Sequence, residues 1–187
     1  MDRKNVAVIV GSLRKESISR KLAHAAVAMA PDALKMTIVP IGDLPHYNQD
    51  LETDMPPEAW VAFRNAIRES DAFLFVTPEY NRSIPGVLKN AIDVGSRPSG
   101  KGVWSGKPGA VMSVTPGALG GLAANHVLRQ NLVAVNVSTM PGPEAYIAQA
   151  GTLFDQDGRL VNETTREFLV KYLAAFAKWI DHNATRG

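Results

Sequence analysis

The stretch Thr77-Pro78-Glu79-Tyr80-Asn81-Arg82-Ser83-Ile84-Pro85-Gly86-Val87-Leu88-Lys89-Asn90-Ala91-Ile92-Asp93 constrains the chain more than any other. Ala72 to Val76 before it are continuously apolar and end in β-branched residues, as a parallel strand buried on both faces does. Pro78 has no N–H to give a ladder, so the strand stops there. Ser83 is placed to cap a following helix whose first turn tolerates Pro85, and Ile84, Val87, Leu88 and Ala91 then fall at helical spacing. Glu79 to Arg82 therefore form a short loop between the carboxyl end of a strand and the start of a helix. In open parallel sheets this is where ligands sit.

A second stretch has the same grammar. Val6 to Val10 is a buried-strand run that breaks at Gly11, and Gly11-Ser12-Leu13-Arg14-Lys15-Glu16-Ser17-Ile18-Ser19 leads into a helix with Ile18, Leu22, Ala25 and Met29 at helical spacing. The unpaired N–H groups of a first helical turn suit a phosphate, and Ser12, Ser17, Ser19 and Arg14 add hydroxyl and guanidinium donors. A nucleoside triphosphatase needs Gly-Lys-Ser/Thr here, and the dinucleotide fingerprint needs three spaced glycines and a later acidic residue; neither is present. A terminal monophosphate dianion fits better. A third loop, Ser113 to Gly121, also follows a strand and opens a helix, and its glycines let backbone approach a flat ring closely. The helix start after it would stabilise negative charge on a reduced ring.

The remaining segments are those of a doubly wound α/β chain. Lys35 to Pro40, Asp71 to Thr77, Gly109 to Val114 and Val133 to Val137 read as strands, with Glu144 to Ala148 extending the last after Pro141-Gly142-Pro143. Pro56 and Pro57 open a helix with Trp60, Phe63 and Ile67 at core spacing, and Thr165 to Ile180 form a closing amphipathic helix. Gly95 to Gly102 is a basic connection whose Arg97 and Lys101 could draw anions toward the site. The Asp155-Gln156-Asp157-Gly158 run fails as a calcium loop, because Leu153 and Thr164 occupy positions one and twelve; it reads as a turn.

Composition excludes several functions. With no cysteine, thiol catalysis, disulfides and zinc-thiolate sites are ruled out, so redox chemistry needs a cofactor. Twenty basic against eighteen acidic residues, with no run of five like charges, argue against nucleic acid. The apolar run at Val6 is too short for a bilayer or a signal peptide, and the expectation is a cytoplasmic protein. At 187 residues the chain is expected to be a single domain, 1–187. His24, His46, His126 and His182 show no metal-ligand spacing, and no metal site is expected.

The runs Pro-Glu-Tyr-Asn, Ser-Ile-Pro-Gly and Leu-Lys-Asn-Ala-Ile-Asp resemble the NADPH-dependent FMN reductase family, most closely its chromate and quinone reductase branch. So do the loop Gly-Ser-x-Arg-x-x-Ser and the segment Asp-Leu-Pro-x-Tyr-Asn at Asp43 to Asn48, a polar stretch that in this setting would border the flavin edge. The resemblance covers Val6 to about Ile180. It implies a flavodoxin-like three-layer sandwich with a five-stranded parallel sheet in order 2-1-3-4-5, the order expected of such an alternation. It implies non-covalent FMN held by Ser12, Leu13, Arg14, Ser17, Ile18, Ser19, Pro78, Glu79, Tyr80, Asn81, Ser113 and Gly117, with no catalytic acid, base or nucleophile. NADPH or NADH would be co-substrate, quinones and metal oxyanions such as chromate the acceptors, and the kinetics ping-pong. The assembly implied is a homodimer or homotetramer, with Arg129 and Glu144 matching intersubunit contacts and His126 standing where the family has tyrosine. His126 could pair with Glu144 across an interface or within one subunit. A flavodoxin-like electron carrier without nicotinamide oxidation is the other class; carriers are usually acidic, against a sequence pI near 8.9 here.

Overall fold

The computed structural model describes residues 3–184. Seven residues, Lys4–Val10, form β1 inside the sheet; β2 (Leu34–Val39) pairs with it on one side and β3 (Ala72–Thr77) on the other, both parallel. Next to β3 lies β4 (Pro108–Val114), all seven residues of which are buried. The order is β2-β1-β3-β4 with a fifth strand position beyond β4, the flavodoxin-like order expected.

The fifth position begins later than the expected Val133 to Val137, while its expected second piece is present. Val133 and Ala134 are the end of α4 (Leu122–Ala134), and Asn136 turns the chain with a φ of 56°. β5 is only Ser138–Thr139, paired with the start of β4, and β6 (Ala145–Ile147) pairs with its end. Pro141 and Pro143 lie between them and cannot donate to a ladder, so the edge is built from two pieces.

Helices cover both faces. α1 (Ile18–Ala28) and α5 (Glu163–Ala184) lie on one, where Leu22, Ala23 and Ala26 meet Val8, Leu74 and Met112, with Tyr172 and Phe176 closing the layer. The buried stripe of α1 includes Leu22, Ala23 and Ala26, a rotation from the expected Ile18, Ala25 and Met29, which are only partly buried. On the other face lie α2 (Glu58–Arg68), α3 (Gly86–Gly95) and α4, bringing Trp60, Phe63, Leu88 and Leu128 against Ile9, Phe73 and Phe75. Trp104 fills the space beside Phe73, its ring 4.9 Å away and nearly perpendicular. A side chain on Gly95 would meet that indole at 2.4 Å, which explains glycine there.

Pro85, not Ser83, is the residue preceding α3, and no side chain caps that helix. Ser83 instead closes a two-residue turn with Tyr80. Tyr80 N–H donates to the Ser83 carbonyl, and Ser83 N–H to the Tyr80 carbonyl, both at 2.9 Å.

Candidate functional site

The chain crosses from β2 on one side of β1 to β3 on the other, and the loops after β1, β3 and β4 open at the carboxyl end of the sheet beside that crossing. They line one cleft: Ser12, Arg14, Ser17, Ile18 and Ser19 from the first, Pro78, Glu79 and Tyr80 from the second, and Val114, Thr115 and Pro116 from the third. Three stretches far apart in sequence thus converge as the alternating fold demands.

The first loop is built for an anion. Ser17 caps α1, its Oγ accepting from Arg20 N at 3.1 Å, and its own proton remains available to the cleft. Ser12 and Ser19 are 5% and 2% exposed, yet neither hydroxyl has a partner among the described residues. The exposed Arg14 guanidinium is also without a partner there. The Ser12 and Ser19 hydroxyls are thus free to bond a ligand that enters the cleft. A phosphate at the start of α1 would satisfy all three and the helix dipole together.

The second loop is held from both ends. Asn81 and Arg82 have φ values of 50° and 63°, the left-handed pair that a tight two-residue turn requires. The Glu79 carboxylate accepts from Ala124 N at 3.1 Å with one oxygen and from Arg82 Nη1 at 3.0 Å with the other. Gly121, which precedes α4, offers no side-chain cap, so Glu79 supplies one from another loop. One N–H of the first turn of α4, that of Ala124, is therefore engaged by a protein carboxylate. Tyr80 is left 48% exposed at the mouth of the cleft.

Four of the expected flavin residues lie outside this lining. Leu13 turns back over Gly42, where a side chain would come within 3.2 Å of its Cδ2. Asn81 sits at the exposed tip of the turn. Gly117 gives its carbonyl to Gln149 N at 3.0 Å. Ser113 is fully buried; its hydroxyl donates to Ala145 O at 3.4 Å and accepts from Asn125 Nδ2 at 3.2 Å. Asn125 in turn accepts from Arg129 Nε at 2.9 Å, so the third loop rests on a buried polar network that periodicity could not show.

Asn90 is a second such residue. Its Oδ1 accepts from Tyr47 N at 2.8 Å and its Nδ2 donates to the carbonyls of Leu44 and Pro45, both at 3.1 Å, pinning the Asp43-to-Asn48 segment against α3. Through Leu13 and Gly42 that segment adjoins the anion loop. The basic connection after α3 is elsewhere. α3 starts at the cleft and its ten residues lead about 15 Å back toward the opposite end of the sheet. Arg97 there lines a recess with Val135 and Asn136, beyond the end of α4. Arg97 and Lys101 are thus misplaced for drawing anions to this cleft.

Glu144 and His126 are linked within the subunit through Tyr146. Its hydroxyl donates to Glu144 Oε1 at 2.6 Å and lies 3.1 Å from His126 Nε2. Burial and the Glu144 carboxylate push the Tyr146 hydroxyl up to about 12. The Asp155 turn closes on itself, Asp155 Oδ1 accepting from Arg159 N at 2.8 Å.

A parallel sheet in this order, with an anion loop after β1 and two further loops converging beside it, defines a flavodoxin-like α/β protein. The family model for NADPH-dependent FMN reductase matches residues 4–152, and the chain belongs to that family. It is 59% identical to a quinone reductase of Pseudomonas putida over 96% of both chains. It is 44% identical to a 2-hydroxy-1,4-benzoquinone reductase of Burkholderia sp, over 94% of this chain and 95% of the other. Its structure resembles that of FerB, a flavoenzyme NAD(P)H:(acceptor) oxidoreductase from Paracoccus denitrificans, with a TM-score of 0.90 and 44% identity over 96% and 98% of the two chains. A flavodoxin from Pseudomonas aeruginosa, at 18% identity and a TM-score of 0.60, shares the fold. FMN is the cofactor and NAD(P)H the co-substrate. The unpartnered Ser12, Ser19 and Arg14 donors fit the FMN phosphate, and the open side of the cleft beside Tyr80 leaves room for a ring.

Proposed function

We propose that this protein is an FMN-dependent oxidoreductase that passes electrons from NAD(P)H to quinones, and to metal oxyanions such as chromate, with ping-pong kinetics. The observation that carries it is the meeting in one cleft of three unpartnered donors, Ser12, Ser19 and Arg14, with Pro78 to Tyr80 and Val114 to Pro116. The quinone-reducing relatives support the acceptor class. Bound FMN supplies the redox chemistry, taking a hydride from the nicotinamide and giving electrons to the acceptor.

The protein's part is to bind and orient. Ser12, Ser17, Ser19 and Arg14 hold the phosphate end. Leu13, Asn81 and Gly117 in the three loops, Ile18 at the start of α1 and Ser113 near the end of β4 complete the set assigned to FMN. Glu79 fixes the separation of the second and third loops by joining one to the first turn of α4. Tyr80 borders the open side, where nicotinamide and acceptor would enter in turn. No side chain is assigned as acid, base or nucleophile.

Leu119, Leu122 and Val133 are exposed apolar side chains on or beside α4, and Arg129 Nη2 is buried without a partner. Both features favour a homodimer or homotetramer using this side of the molecule. Reliance on reduced nicotinamide fits a cytoplasmic location, and no described helix is long and apolar enough to cross a membrane. Steady-state assays with NADPH and a benzoquinone test the function. Parallel double-reciprocal lines are expected; NADPH oxidation that no quinone accelerates would overturn the acceptor assignment.

A further inference from the structure

On the α1 and α5 face, a groove of about 690 Å³ runs beside the anion loop, between α1 and the turn at Gln156 to Leu160. Ser17 lines both this groove and the flavin cleft, so the two are contiguous at the phosphate end. Five cationic side chains, Lys15, Arg20, Lys21, Arg159 and Arg166, line it against two carboxylates, Glu16 and Asp157. Lys15 and Arg20 are exposed and have no side-chain partner among the described residues. The other three pair with acids at 3.1 to 3.6 Å; the Arg159–Asp157 pair, at 78% and 72%, is largely open to solvent, the Arg166–Glu163 pair is half-exposed or more, and Lys21 is the more covered partner of Glu16. Ion pairs of that kind hold their partners weakly, so a more highly charged ligand can recruit these cations. Beneath this rim, Ala25, Ala28, Met29 and Leu160 give the groove an apolar floor, with small side chains on two sides of it.

An apolar floor under a basic rim suits a flat base carrying phosphates. We propose that the groove binds the adenosine end of NADPH, with Arg20 and Arg159 gripping its 2′-phosphate, and that this contact makes the protein prefer NADPH to NADH. The proposal rests on the flavin assignment of the neighbouring cleft, which fixes where the nicotinamide end must lie. The groove follows α1 for about 16 Å, eleven residues of helix, long enough for the adenosine half of an extended dinucleotide. A 2′-phosphate is a dianion that a guanidinium grips with two parallel hydrogen bonds, whereas NADH presents only a hydroxyl there. Neither Arg20 nor Arg159 lines the flavin cleft; in the local turns their backbone N–H groups donate to Ser17 and Asp155, and the only side-chain pairing of either among the described residues is the exposed one of Arg159 with Asp157.

The test pairs kinetics with binding on the FMN-loaded protein. Arg20→Ala and Arg159→Ala should each raise the KM for NADPH about tenfold or more, leaving the KM for NADH, kcat and FMN affinity unchanged. Calorimetry reads the groove without turnover. Adenosine 2′,5′-bisphosphate should bind at least tenfold more tightly than 5′-AMP, and the advantage should vanish in both variants. Equal binding of the two nucleotides, or variants that change NADPH and NADH alike, would overturn the proposal. So would inorganic phosphate binding as tightly as the bisphosphate, which would make the groove a bare anion site. Loss of nicotinamide oxidation in the unaltered protein, with the bisphosphate still bound and lost in the variants, would instead indict the flavin assignment and leave the groove standing.

Discussion

Glu79 Oε2 accepts a hydrogen bond from the backbone N–H of Ala124 at 3.1 Å, tying the loop after β3 to the first turn of α4. The carboxylate comes from a different element and stands where a capping side chain would, because Gly121 has none to give. Glu79→Ala should cost about 1 kcal/mol of stability, and it should weaken FMN binding because two walls of the cleft lose their tie. Denaturant unfolding and a flavin fluorescence titration check this; a variant with unchanged stability and FMN affinity would show the tie to be idle.

Ser17 and Ser19 separate structure from binding within one loop. Ser17 caps α1 and lines the cleft, whereas the Ser19 hydroxyl has no partner among the described residues. Ser17→Ala should lose about 1 kcal/mol of stability together with FMN affinity. Ser19→Ala should lose only affinity, and Arg14→Ala should lose about tenfold or more of it. Parallel melts and FMN titrations of the three variants decide; equal destabilisation by both serine changes would contradict the division.

Gly120 is a position where no side chain fits. Its φ is 58°, and an added Cβ would lie 2.5 Å from the carbonyl carbon of Tyr146, in backbone that cannot yield cheaply. Gly120→Ala should destabilise by about 2 kcal/mol or more, in the loop that forms the third wall of the cleft. A thermal melt within a degree of the parent protein would refute the clash.

Two tyrosines set an alkaline limit. Tyr146 is pushed up to about 12, burial first and Glu144 second, and burial likewise raises Tyr172, whose hydroxyl donates to Val111 O at 2.9 Å. Both are held neutral in the folded chain above the ordinary value of 10. Their contribution is complete below pH 10 and falls as pH rises toward 12. Unfolding measured at successive pH values should show stability dropping over that window, and less steeply in Tyr172→Phe. A variant with the same slope as the parent would remove Tyr172 from this account.

Much of this was legible in the residues. Strand runs ending at Gly11, Thr77 and Val114 placed three loops at one end of the sheet, because parallel strands joined by helices must all turn there. The break at Pro141-Gly142-Pro143 and the piece after it were legible, but the start of the fifth strand was not, since Val133 to Val137 suits a helix end as well as a strand. Nor were Asn90's bond to Leu44, Asn125's to Ser113 or Glu79's to Ala124, which span 12 to 46 residues and follow no period. Arg97 and Lys101 were misjudged for a related reason: closeness in sequence says little when a helix intervenes.

An absorption spectrum of the purified protein, before and after NADPH is added without oxygen, tests the central claim most directly. The account predicts a yellow flavin band that NADPH bleaches. A yellow band that NADPH leaves unchanged would instead make this an electron carrier, and a colourless protein that neither quenches added FMN nor uses it to oxidise NADPH would contradict the cleft assignment itself.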